Sequence, residues 1–120
     1  MKRLTDKEEE VMQFLWDNGP LFVREILEFY PEPKPHYNTV STVIRVLEEK
    51  KFVDHKTYGN TYQYFTIVSQ EEYKGKALKK VVSQYFDNSY TNVVSTLIEE
   101  ERLSINELKK LIKKIEKGKK

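Results

Sequence analysis

Residues 35–68, PHYNTVSTVIRVLEEKKFVDHKTYGNTYQYFTIV, constrain this chain more than any other stretch, because an amphipathic helix there gives way at once to a two-stranded hairpin. Val40, Val43, Ile44 and Leu47 recur at i, i+3, i+4 and i+7, which places all four on one buried helical face. At about 100° per residue, the opposite face carries Asn38, Thr42 and Arg45, with Ser41 to one side and Thr39 and Val46 to the other. That face lacks the usual run of Glu and Lys. An ordinary solvated helix face is the plain reading of such a pattern, and the segment that follows argues for more.

Phe52 to Tyr58 and Thr61 to Val68 are rich in β-branched and aromatic residues, with Gly59-Asn60 between them as a two-residue turn signal. In the second arm Tyr62, Tyr64 and Thr66 point one way and Gln63, Phe65 and Ile67 the other. Two earlier helices, then this helix, then the hairpin is the element order of a winged helix-turn-helix domain. In that fold the third helix enters the major groove and the hairpin tip lies over the adjacent backbone. Asn and Arg make bidentate bonds to purine edges, and Thr bonds a base or packs on a thymine methyl. The expected reading residues are therefore Asn38, Thr39, Ser41, Thr42 and Arg45, with Lys56, Tyr58, Asn60 and Thr61 near the tip for phosphate contacts. The hairpin can equally serve as a sheet edge that closes a small core.

Upstream, Thr5 and Glu8 form a capping box at the start of a helix whose Val11, Phe14 and Leu15 face the core with Leu4, flanked by Met12 and Trp16. Asn18-Gly19-Pro20 stops it, and Leu21-Phe22 read as a short strand against the wing. A second helix covers about Val23 to Tyr30, with Val23, Ile26, Leu27 and Tyr30 on one face and no good N-cap residue. Three prolines, Pro31, Pro33 and Pro35, end it as a stiff turn, with a docking ligand for a partner as the alternative.

Downstream, Ser69 and Glu72 form a second capping box and mark the boundary after the wing. A helix to about Phe86 presents Leu78, Val82 and Tyr85, and Asp87-Asn88-Ser89 breaks it. A segment from about Thr91 to Glu101 carries Val94, Leu97 and Ile98. Ser104 and Glu107 form a third capping box, with Leu103 and Leu108 spaced as a hydrophobic staple. The last helix is expected to bury Leu108, Leu111, Ile112 and Ile115, opposite Lys109, Lys110, Lys113 and Lys114, before a frayed Lys117-Gly118-Lys119-Lys120. These helices hold about fifty residues with one apolar stripe each, which alone makes only a marginal core. Two intertwined copies would bury the stripes, so residues 70–120 read as a homodimerisation region with Leu78, Val82, Tyr85, Val94, Leu97, Ile98, Leu108, Leu111 and Ile112 in the seam. Packing of the tail back onto residues 1–69 is the alternative.

The fold class expected is therefore mainly α with a small antiparallel β wing: a winged helix-turn-helix over 1–69 and a helical dimerisation region over 70–120. Charge divides along the same line. Residues 1–69 hold nine Lys and Arg against eleven Asp and Glu, and residues 70–120 hold twelve against eight. A negative winged half is awkward for phosphate binding, although Glu8, Glu9, Glu10, Glu25, Glu28 and Glu32 are expected to lie away from the reading face. With no cysteine the chain has no disulfide and no thiolate metal site, which fits a reducing cytoplasm. No apolar run approaches 18 residues and no signal peptide is apparent, so no direct membrane binding is expected. Only His36 and His55 are present, neither in a carboxylate pattern that suggests a metal triad, and no glycine loop cradles phosphate. No enzyme, metal or cofactor is indicated.

The residues quoted also carry a resemblance. Glu8 to Trp16 (E-x-x-V-M-x-x-L-W), Asn38 to Thr42, Leu47 to Lys50, Phe52 to Lys56, and Leu103-Ser104 with Glu107-Leu108 together resemble the BlaI/MecI penicillinase-repressor family of bacterial regulators, which includes the copper-responsive CopY branch. The resemblance implies a cytoplasmic homodimer that represses an operon by occupying an inverted-repeat operator in double-stranded DNA. It also implies a membrane-bound sensor metalloprotease as a partner in signalling, with cleavage in the dimerisation region at the bond corresponding to Thr96-Leu97. The β-lactam branch has an Asn-Phe type bond there, the copper branch carries cysteine pairs that this chain lacks, and Ser41 stands where staphylococcal-type members carry Arg. A winged-helix protein-interaction module that does not bind DNA is the alternative reading.

Overall fold

The computed structural model describes residues 3–118. Helix α1 spans Asp6–Asn18, strand β1 Leu21–Phe22, α2 Val23–Glu28, α3 Tyr37–Glu49, β2 Val53–Tyr58, β3 Thr61–Thr66, α4 Gln70–Tyr85, α5 Tyr90–Glu99 and α6 Ile105–Gly118. The three strands form one antiparallel sheet in the order β1-β3-β2. The order is that of a winged helix, and the short strand expected at Leu21-Phe22 pairs with the wing through Leu21 opposite Tyr64 and Phe22 opposite Gln63.

Local chemistry sets the boundaries. The Thr5 hydroxyl accepts from the Glu8 backbone N–H at 3.2 Å, and the Thr5 N–H donates to the Glu8 carboxylate at 2.9 Å, closing the capping box. Helix α2 ends before Tyr30, shorter than its apolar spacing suggests. The Lys34 ammonium reaches back to the Leu27, Glu28 and Tyr30 carbonyls at 2.9–3.2 Å, a cation satisfying the open end of a helix. Its start, which has no polar N-cap, is served by the Glu25 carboxylate, to which the Phe22 N–H donates at 2.9 Å. Lys51, at φ 67°, turns the chain out of α3, and Gly59, at φ 59°, turns it between β2 and β3.

One core joins α1, α2, α3 and the sheet: Leu4, Val11, Met12, Leu15, Leu21, Val23, Ile26, Val40, Ile44, Leu47, Phe52, Val53 and Tyr64 are buried in it. Phe14 and Val43, expected inside, pack against it only partly buried, while Met12 is fully buried. Trp16 donates its indole N–H to the Val68 carbonyl at 2.9 Å and lies 5.7 Å from the Tyr73 ring. Tyr73 packs edge-on against Phe52 and donates its hydroxyl to Glu9 at 2.8 Å; burial, then that bond to Glu9, pushes its phenol up to about 12. The first turn of α4 is therefore part of the winged unit, which runs to Lys74, with a second compact unit from Gly75.

In that second unit the Ser89 hydroxyl caps α5 and Ser104 with Glu107 forms the expected capping box before α6, both bonds present. Asp87 and Asn88 take positive φ and break α4 from α5. Val82 is its one fully buried large side chain among the described residues. The expectation that the last helix buries Leu111 and Ile112 does not hold within one chain, where both stand open to solvent. The end expected to fray at Lys117 instead continues as helix to Gly118, while the side chain of Ile115 and residues Lys119-Lys120 lie outside the described residues.

Candidate nucleic-acid interface

Helix α3 begins after His36, whose Nδ1 accepts from the Asn38 N–H at 3.1 Å, so Asn38 is held at the first turn with its side chain exposed. Thr42 lies one turn on, exposed, and donates its hydroxyl back to the Asn38 carbonyl at 2.9 Å. Arg45 follows, also exposed. The three form the open polar face that the spacing predicts.

Ser41 departs from expectation. At 6% exposed it is buried, at a cleft that α2 and the hairpin border together, neighbours that a single helical wheel does not contain. Its hydroxyl is not open in the way expected of a reading residue. Thr39 is exposed but faces the other way, onto a recess of about 190 Å³ shared with Tyr30, Pro33, Pro35 and Val43. In that recess burial, then the Glu10 charge, pushes the Tyr30 phenol up to about 12.

Between α3 and the wing lies a cleft of about 600 Å³, bordered by Tyr37, Asn38, Ser41, Arg45 and Glu48 of α3 and by Asn60, Thr61, Tyr62 and Tyr64 of the β2–β3 hairpin. Arg24 and Glu25 of α2 close its third side. Glu25 was expected away from the reading face; it stands on the same cleft as Asn38 and Arg45, because α2 delivers its N-terminus there. The Tyr64 phenol at this cleft is raised, first by burial and then by the Glu48 charge, with Arg45 opposing. Arg24 sits 5.7 Å above the Tyr37 ring, a cation–π pair that adds a fixed guanidinium beside the first turn of α3. Neither residue was singled out in sequence. The repeat Tyr37, Ser41, Arg45, Glu48 at helical spacing was the available signal for Tyr37.

Lys56, Tyr58 and Asn60 are exposed along the wing, with Tyr58 edge-on to Phe22 at 5.7 Å. The root of the wing brings together what the sequence kept apart. His55 Nδ1 meets the Glu48 carboxylate, Asp54 Oδ1 lies 4.0 Å from the same nitrogen, and the imidazole stacks on Tyr62 with ring centroids 4.2 Å apart. Glu48, Asp54 and His55 thus form a group with metal-binding chemistry, which corrects the expectation that neither histidine has a carboxylate partner set.

Of the residues expected in a dimer seam, Tyr85, Leu78, Leu97, Leu111 and Ile112 are 71%, 51%, 39%, 46% and 48% exposed, far more than large apolar side chains in a finished core. Val94, Ile98 and Leu108 are half-buried. Val82 is the exception: at 1% exposure it is already enclosed within the single chain and has no surface left for a partner. Thr96 and Leu97 lie inside α5, with the Thr96 hydroxyl bonded back to the Asn92 carbonyl at 2.9 Å.

The family described as penicillinase repressor matches residues 4–117, nearly the whole of this arrangement. The chain belongs to the penicillinase repressor family. It is 27% identical over 109 residues to the methicillin resistance regulatory protein MecI of Staphylococcus aureus (strain N315), covering 90% of this chain and 89% of that one. The MecI protein of Mammaliicoccus sciuri is 26% identical over the same shares. Among solved structures, AF1382 from Archaeoglobus fulgidus is similar at a TM-score of 0.47 and 15% identity, over 67% of this chain and 88% of its own. As a member of this family the chain is a transcriptional repressor of the DNA-binding kind, in a family that is regulatory and not enzymatic. No helix among the described residues is long and apolar enough to cross a membrane.

Proposed function

We propose that this repressor acts in the cytoplasm as a homodimer on an inverted-repeat operator, reading base edges with Asn38, Thr42 and Arg45 of α3 and phosphates with Lys56, Tyr58 and Asn60 of the wing. The observation that carries this reading is the open amide, hydroxyl and guanidinium face of α3, beside a cleft bordered by the hairpin. Thr39 flanks the same helix and serves the backbone, and buried Ser41 shapes the floor of the cleft. The apolar side chains left open on residues 75–120 are the surface through which two copies associate, setting half-sites about one or more helical turns apart. Cleavage between Thr96 and Leu97 by a membrane-bound sensor metalloprotease would split α5 and detach α6. Losing the second half-site in this way lowers operator affinity by a hundredfold or more (on the order of 10²) without touching a DNA contact.

Sequencing genomic fragments retained by the purified protein, followed by titration of the recovered site at increasing salt, tests the reading. A steep linear fall of log affinity with log salt, and an inverted repeat in the recovered fragments, are the expected results. The negative balance of residues 1–69 and the two carboxylates on the cleft favour one rival, a winged module that engages protein instead of DNA. Retention of no fragment at low salt decides for that rival.

A further inference from the structure

We propose that Glu48, Asp54 and His55 bind a divalent first-row transition ion at the root of the wing, and that the bound ion strengthens the grip of the winged unit on DNA. The ligand atoms of the three residues all lie within 4.8 Å of one another. Bonds of about 2.0–2.2 Å from imidazole nitrogen and carboxylate oxygen place two ligands of one ion about 3–4 Å apart, so modest side-chain rotations suffice. One imidazole with two carboxylates selects a borderline ion such as Zn²⁺ over the oxygen-seeking Mg²⁺ and Ca²⁺, and water completes the coordination.

Three features distinguish this group from a chance meeting of surface charges. The imidazole is oriented by stacking on Tyr62, so its Nδ1 edge is aimed at the carboxylates. The Asp54 carboxylate accepts from the His55 backbone N–H at 2.8 Å, which turns it along the strand toward its neighbour although adjacent strand residues normally project to opposite faces. Finally, neither Glu48 nor Asp54 has a Lys or Arg ion-pair partner among the described residues; His55 is the basic group they share.

Position gives the site its consequence. Glu48 lies in the last turn of the reading helix and borders the cleft with Asn38 and Arg45, while Asp54 and His55 lie at the start of the wing. Without an ion, two carboxylates stand beside the surface that must approach phosphate. A dication neutralises them and ties α3 to β2 across the turn at Lys51. The coupling to DNA rests on the proposed reading of α3; the ion site does not.

The test titrates Zn²⁺ into the full-length protein by calorimetry while the histidine ring resonances are followed by NMR. Wild type, His36→Ala, His55→Ala and the paired variant E48Q/D54N are compared, each checked for folding by circular dichroism. One equivalent bound with His55 ring shifts, unchanged in His36→Ala and weakened at least about tenfold in the other two, is the expected result. Equal binding by wild type and E48Q/D54N, or unmoved His55 resonances, reduces the group to a histidine–carboxylate ion pair and overturns the site. In a second arm, Zn²⁺ should tighten binding to a retained DNA fragment for wild type and not for E48Q/D54N. An ion bound at His55 that leaves fragment affinity unchanged overturns the coupling. Failure of every variant to bind DNA, with Zn²⁺ still bound at His55, refutes the reading of α3 and the coupling together while upholding the site.

Discussion

The Lys50 ammonium lies 2.7 Å from Oε1 of Glu8, joining the C-terminal cap of α3 to the first turn of α1. The same ammonium reaches the Arg3 carbonyl at 3.3 Å, and the Glu8 carboxylate also receives the Thr5 N–H. Burial by itself would raise the Glu8 carboxyl, but its bonds to Lys50 and Thr5 outweigh that and hold it below the usual 4.5. Glu8→Gln should therefore cost about 1–3 kcal/mol, read from the urea midpoint at neutral pH. Because the folded carboxyl binds its proton less tightly than the unfolded one, this contribution is complete above the unfolded value and drains away as pH falls through the folded value. Wild-type and variant stabilities should converge only as pH falls through and below that lowered folded value. A gap that stays constant there would assign the effect to packing instead.

For Arg45, the expected outcome of substitution by Ala is a loss of about 1–3 kcal/mol in discrimination between the recovered site and a scrambled one. Fluorescence anisotropy with both duplexes measures it. An unchanged preference removes Arg45 from base reading.

Lys56→Ala should behave differently. A phosphate contact carries no sequence information, so affinity should weaken uniformly for all duplexes and the log–log salt slope should shrink by about 1. A sequence-dependent loss would place Lys56 on a base edge.

Leu97→Asp puts a carboxylate on an apolar side chain that is 39% exposed in one chain. If two copies associate there, light scattering at micromolar concentration should report monomers, with operator affinity lost and the winged unit still folded. A dimer of unchanged mass would move the association surface elsewhere in residues 75–120.

Phe52 is buried at the start of the wing, under Tyr73. Phe52→Ala should destabilise the winged unit by about 3–5 kcal/mol, in thermal or urea unfolding. A loss below about 1 kcal/mol would mean that Tyr73 and its neighbours collapse into the space.

Much of this architecture is legible in the amino-acid order, because local rules dominate it. The Thr5–Glu8 and Ser104–Glu107 boxes, the Gly59-Asn60 turn and the apolar spacing of Val40, Ile44 and Leu47 each act within a few residues. What stays hidden depends on partners distant along the chain or on the turn between elements. Ser41 is buried at a cleft whose other walls no helical wheel includes, and the end of α2 is capped by a lysine beyond it. Glu48 and His55 look unrelated until Lys51 reverses the chain between them. Val82 reads like its neighbours on the same stripe, and only the fold reveals that it is already enclosed.

The chain has a single tryptophan, and its indole is anchored to the Val68 carbonyl where the hairpin leaves for α4. Residues 75–120 contribute tyrosine emission only. An unlabelled sample thus carries a built-in optical gauge for one half of the molecule: red-shifted indole fluorescence will mark the moment the hairpin exit peels from α1, while loss of the tail can be followed separately by helical dichroism.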